Sequence, residues 1–153
     1  MALFHLVGHT PEAPTLEDAF RGGEPTETHE LTVADLRRAR AELTTFDGNR
    51  VDVVALGSPH FSLEEFCHLA PLLDGRRCHP DVLFLVTTGR MMRALAEQAS
   101  LLGPLREFGA KITVDTCILT SPMLPSDVDT LMTNSAKYAY YSPGLLNTQV
   151  AFG

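Results

Sequence analysis

From residue 51 onward, short β-branched apolar runs alternate with polar turns that carry Gly, Ser, Thr or Asn. The runs are VDVVALG (51–57), DVLFLVTTG (81–89), KITVDTCIL (111–119) and DTLMTNS (129–135). Their hydrophobicity is continuous rather than alternating, which marks strands covered on both faces and predicts a mostly parallel α/β sheet with helices between the strands. Ser62 precedes LEEFCHLAPLL with Glu65 three residues on, an S-x-x-E capping box that starts a helix with Leu63, Phe66 and Leu69 on one face. Cys67 is expected near that stripe. A second helix is predicted over 90–102, where Met91, Met92, Leu95, Ala96 and Ala99 recur at helical spacing and Gly103-Pro104 stops it. One further turn over Leu105 to Phe108 precedes Gly109. Upstream, residues 10–30 read as an extended loop with one turn around Leu16 to Phe20. A helix then starts at Thr32, with Asp35 in the box position and Leu36, Ala39 and Leu43 facing inward.

With 153 residues and 44% hydrophobic content, the chain is read as a single α/β domain with one ordinary core. Its formal charge of -7 reflects 19 acidic against 12 basic residues, with no basic run, which disfavours nucleic acid and anionic membrane surfaces as partners. No apolar stretch approaches the roughly 20 residues needed to span a bilayer. The opening MALFHLVGHT lacks a basic n-region and a cleavage site, so a cytoplasmic location is expected. The three cysteines, Cys67, Cys78 and Cys117, have no C-x-x-C spacing. They suggest neither a disulfide framework nor a self-contained zinc site, and a metal here requires ligands from elsewhere.

In an open parallel sheet, ligands bind beyond the carboxyl ends of the strands. Four loops are expected there: 57–62 (GSPHFS), 87–90 (TTGR), 115–117 (DTC) and 133–138 (TNSAKY). Each loop alone is explained equally well by helix capping. Their convergence adds to that, because His60, Arg90 and Lys137 on one edge build positive potential against the net charge and suit an anionic small molecule. Cys117, just past a strand end, is a candidate nucleophile or metal ligand.

The segments ALFHLVGHTPEAPT (2–15), VALGSPHFSLEEF (54–66), VDTC (114–117) and MTNSAKYAYYSPGLL (132–146) resemble the catalytic large portion of the aconitase X family, in the family's order and over nearly the whole chain. The resemblance implies a three-layer α/β/α aconitase-like fold and a hydro-lyase that uses an iron-sulfur cluster or mononuclear iron. Members dehydrate cis-3-hydroxy-L-proline or mevalonate 5-phosphate, and the first is favoured here. By the same resemblance Cys117 is the metal ligand, and Ser58, His60 and Ser135 are the catalytic candidates. Ser62, Thr133, Asn134, Lys137, Thr10 and Glu12 are the substrate-binding ones. Upstream cluster cysteines and a small swivelling domain or subunit are absent from these residues, so the chain is expected to be a fragment, inactive alone. Two readings from other classes remain open: a non-catalytic anion-binding module, and a thiol hydrolase using Cys117 and His60, which lacks a G-x-S-x-G-like elbow.

Overall fold

The computed structural model describes residues 4–153. The chain divides into two compact units, Met1–Val33 and Ala34–Gly153. In the first, the Thr15 side chain and Asp18 form a reciprocal capping box at the start of α1 (Leu16–Phe20), the single turn expected there. An upstream turn is closed by the Leu6 N–H donating to the Thr10 hydroxyl at 2.9 Å.

The second unit carries the sheet. Its strands are β1 (Val53–Phe61), β2 (Leu83–Thr88), β3 (Lys111–Val114), β4 (Thr130–Thr133) and β5 (Gln149–Phe152), all parallel, in the order β3-β2-β1-β4-β5. Because the strands are sandwiched, neighbouring side chains feed two separate cores. Val53, Ala55, Leu85, Leu131 and Val150 pack on one face with Tyr138 and Ala139 of α6 (Ala136–Leu146). Val86 packs on the other face with Phe66, Ala70 and Leu73 of α3 (Leu63–Leu73), Ala96 of α4 (Arg90–Gln98), and Leu102 and Leu105 of α5 (Leu102–Phe108). The result is the expected three-layer arrangement. The outer edge of β5 is covered by the chain at 44–46, where the Thr45 and Phe46 N–H groups both donate to the Val150 carbonyl. No helix among the described residues is long and apolar enough to cross a membrane.

The capping box at Ser62 and Glu65 is present at α3. Other expectations are corrected. Cys67 is exposed, because the buried face of α3 is set by Phe66, Ala70 and Leu73 and position 67 lies about 100° away from it. The helix expected over 90–102 ends at Gln98, the chain turns through Ser100 at φ 59°, and α5 begins at Leu102. Gly103 and Pro104 therefore start a helix instead of stopping one, since proline in the first turn has no hydrogen bond to lose. In α2 (Val33–Leu43), Leu36 and Ala39 are exposed and only Leu43 reaches the core. The strand expected over 111–119 stops at Val114, where Asp115 takes φ 54°.

This division predicts unequal costs. Phe66, fully buried and edge-on to Phe61 with ring centroids 5.0 Å apart, should lose about 3–5 kcal/mol on Phe66→Ala. Leu36→Ala should change stability by no more than about 0.5 kcal/mol. Equilibrium urea unfolding of the two variants checks the order.

Candidate active site

The sheet order reverses direction beside β1: β2 and β3 lie to one side, β4 and β5 to the other. The helices following β1 and β4 therefore leave towards opposite faces, and a crevice opens between the carboxyl ends of those strands. A cleft of about 470 Å³ lies there, lined by Ser58 and His60 from β1, Asp115, Thr116 and Cys117 after β3, and Lys137 after β4. A slightly larger hollow of about 510 Å³ lies at the opposite edge, at the amino ends of the strands. Helix N-termini do not point there, and the carboxylate of Asp52 on its wall already accepts from the backbone N–H groups of Asp129 and Thr130 and the Thr130 hydroxyl. The carboxyl-end cleft is the candidate site.

Its shape comes from a bulge in β1. Leu56 pairs with Val86 and Phe61 with Thr88, so β1 takes five steps where β2 takes two. The surplus carries Ser58 and His60 out to the cleft. Gly57 makes the departure at φ 94°, and a Cβ there would lie 2.1 Å from the Thr87 carbonyl oxygen. Two fully buried threonines clamp the excursion: the Thr87 hydroxyl donates to the Gly57 carbonyl at 2.9 Å and the Thr88 hydroxyl to the Phe61 carbonyl at 2.6 Å. The expectation that this threonine pair grips an anion is thereby corrected, since both hydroxyls serve the backbone.

The other expected residues divide. Ser58, His60, Cys117 and Lys137 line the cleft together. Ser62 and Ser135 instead sit at N-caps, accepting from the Glu65 N–H and the Tyr138 N–H, both at 3.2 Å. Thr133 is buried and accepts from the Ser135 N–H at 3.1 Å. Asn134 is exposed outside the cleft lining. Thr10 and Glu12 belong to the first unit, where the Thr10 hydroxyl closes the turn at Leu6. Arg90 does not contribute free positive charge, because its side chain pairs with Asp115 and its N–H donates to the same carboxylate at 3.1 Å. Asp115 thus caps α4, whose own N-cap Gly89 has no side chain to do so. Thr116 and Ser121, which pattern reading did not single out, also line the cleft. The Ser121 hydroxyl donates to the Cys117 carbonyl at 2.7 Å, and the Thr116 hydroxyl lies 3.2 Å from Ser121 Oγ.

Three features favour a ligand in this cleft. The Ser58 hydroxyl is sealed from solvent and has no hydrogen-bond partner among the described residues, a state that costs about 1–3 kcal/mol unless something fills it. Lys137 makes no ion pair among the described residues. It lies in the first turn of α6, where the helix dipole disfavours a cation unless an anion joins it. Cys117 is half-buried, with one side against the core and the other on the cleft.

Residues 51–153 match the family described as the aconitase X third domain. The chain belongs to the aconitase X family. It is 49% identical over 152 residues to cis-3-hydroxy-L-proline dehydratase of Pseudomonas aeruginosa, covering 98% of this chain and 26% of that protein. Identity to the Hypocrea jecorina protein of the same name is 43%, over 99% of this chain and 26% of that one. The phosphomevalonate dehydratase large subunit of Methanocaldococcus jannaschii is 28% identical, with 100% and 36% covered. The crystal structure of Thermococcus kodakaraensis aconitase X in its holo-form superposes with a TM-score of 0.70 at 28% identity, over 84% of this chain and 33% of that one. The chain thus spans about a quarter of the dehydratases it matches best here.

Aconitase X membership points to a metal or cluster cofactor in general. The residues at this cleft fit a share of such a group: a half-buried thiol on the wall and an unpartnered hydroxyl close by. No cluster of three or more His, Cys, Asp or Glu side chains able to hold a metal occurs among the described residues. A complete set needs donors from outside them.

Gly57→Ala should destabilise the protein by more than about 2 kcal/mol, because both the clash and the positive φ oppose a side chain. Thermal unfolding reads this, and a variant as stable as the parent would contradict the bulge. The Arg90 backbone N–H and guanidinium hold the Asp115 carboxyl below its ordinary value. Its contribution is complete above the ordinary carboxyl range, about pH 4, and is lost as pH falls through the lowered value. Asp115→Asn should therefore flatten the acid limb of the stability–pH curve and leave the shape above neutrality unchanged.

Proposed function

We propose that this chain forms one wall of a hydro-lyase active site that eliminates water from a small anionic hydroxy acid, cis-3-hydroxy-L-proline. The observation that carries the reading is the convergence of Ser58, His60, Cys117 and Lys137 at the switch point, with the Ser58 hydroxyl unpartnered. The identity to two proteins named cis-3-hydroxy-L-proline dehydratase supports this substrate. So does the charge: one unpaired lysine suits a single carboxylate, whereas mevalonate 5-phosphate brings a phosphate as well. That second substrate is the alternative favoured by the large-subunit relatives.

In this reading Cys117 is a thiolate ligand to an iron-sulfur cluster or mononuclear iron, with the remaining ligands and a small swivelling domain or subunit supplied from outside this chain. Iron, when bound, supplies a Lewis acid that assists departure of the substrate hydroxyl. Lys137 binds the carboxylate by a charge-assisted hydrogen bond, reinforced by the N-terminus of α6. The Ser58 oxygen, free of other bonds, exchanges the proton at the reacting carbon, and His60 beside it holds the proton at an imidazole nitrogen. Ser135 acts through Lys137, since its cap fixes the first turn of α6. Three unpaired cysteines support a reducing, cytoplasmic setting.

The test is turnover by the full-length protein, kept anaerobic and iron-replete, against both substrates. The expected result is dehydration of cis-3-hydroxy-L-proline, with Lys137→Ala lowering kcat/KM at least about tenfold. Ser58→Ala should lower kcat by about a hundredfold or more. Turnover of neither substrate, or binding of the hydroxy acid without elimination, would overturn the assignment.

A further inference from the structure

Tyr138 is fully buried beneath the cleft, yet it carries a phenol where phenylalanine would pack equally well. Its hydroxyl lies 3.1 Å from Thr87 Oγ1, and that hydroxyl donates at 2.9 Å to the Gly57 carbonyl at the root of the bulge. On its other side the phenol adjoins the Cys117 side chain and the Ile118 N–H. The proton count is informative. Thr87 has one proton, and the Gly57 carbonyl, an obligate acceptor, takes it. The Tyr138 proton is then free to point at Thr87 Oγ1 or at the Cys117 sulfur, while the Ile118 N–H can donate to the phenol oxygen.

We propose that Tyr138 is a positioning residue for Cys117: its buried hydroxyl donates to the sulfur once that sulfur is a thiolate ligand, and Thr87 fixes the phenol in place through Gly57. This rests on the reading of Cys117 as a metal ligand. Burial pushes the phenol above its ordinary pKa, the Thr87 hydrogen bond opposes this, and the neighbouring Cys117 adds to the rise, so Tyr138 keeps its proton and remains a donor. A bare thiolate facing the core has no solvent to stabilise it, and a fixed O–H donor supplies what water cannot. Hydrogen bonds to ligating sulfur also lower its electron donation to iron and raise the reduction potential.

The test uses the full-length, iron-loaded protein and reads the sulfur-to-iron charge-transfer absorption, the iron affinity and the melting temperature. Cys117→Ser should abolish or strongly diminish the Cys117-dependent part of the band. Tyr138→Phe should keep the band but move it to longer wavelength, weaken iron retention about 10–100-fold, and shift the melting temperature by only a few degrees. Tyr141→Phe, on the same helix but exposed, should change none of these. If Cys117→Ser leaves the spectrum intact, the ligand assignment fails and this inference with it. If Cys117→Ser removes the band while Tyr138→Phe leaves its position and the iron affinity unchanged, the positioning role alone is refuted.

Discussion

One buried hydrogen bond, from the Thr87 hydroxyl to the Gly57 carbonyl, ties together the parts of the cleft. It joins β2 to the point where β1 leaves the sheet, and the same hydroxyl touches the Tyr138 phenol of α6. The three elements that must agree for a site to exist are therefore fixed at one oxygen. Thr88 repeats the device at the far end of the bulge, on the opposite face of the sheet. Without these two bonds the surplus backbone of β1 would carry unpaired carbonyls into a sealed interior, a costly state. The bulge is stable because the threonines are there, and the site exists because the bulge is.

The polar groups near the cleft fall into two kinds. Ser62, Ser135, Thr133, Thr87, Thr88 and Asp115 satisfy backbone or charge within the fold. Ser58 and Lys137 do not; one is sealed without a partner and the other sits where a helix end disfavours it. Local rules broken in this way are expected where a ligand completes the structure. The electrostatics follow the same division. Arg90 and Asp115 cancel each other, which leaves a modest positive potential at Lys137 in an otherwise acidic protein.

Much of this was legible in the sequence. Continuous apolar runs marked β1, β2 and β4, the Ser62–Glu65 box marked α3, and the strand-end rule placed the cleft on the correct edge. GSPHFS and TNSAKY identified the family because loops that hold ligands vary less freely than their surroundings. What could not be read was the side chain on which each loop hydroxyl is employed. A serine that caps and a serine that faces a ligand occupy similar positions in sequence, and only the register of β1 against β2 separates Ser58 from Ser62. The Arg90–Asp115 pair joins residues 25 apart, beyond any local pattern. Gly103-Pro104 has the composition of a helix stop and also of a helix start, and the αL turn at Ser100 decides between them.

The central claim is that the turns after β1, β3 and β4 hold one reactant between them. A crystal structure of the full-length, metal-loaded protein with cis-3-hydroxy-L-proline tests it most directly. The account predicts the carboxylate at Lys137, the Ser58 hydroxyl within hydrogen-bond distance of the substrate, and the Cys117 sulfur bound to the metal. A substrate seated at the amino-end hollow beside Arg50 and Lys111, or a Cys117 sulfur turned into the core away from the metal, would contradict it.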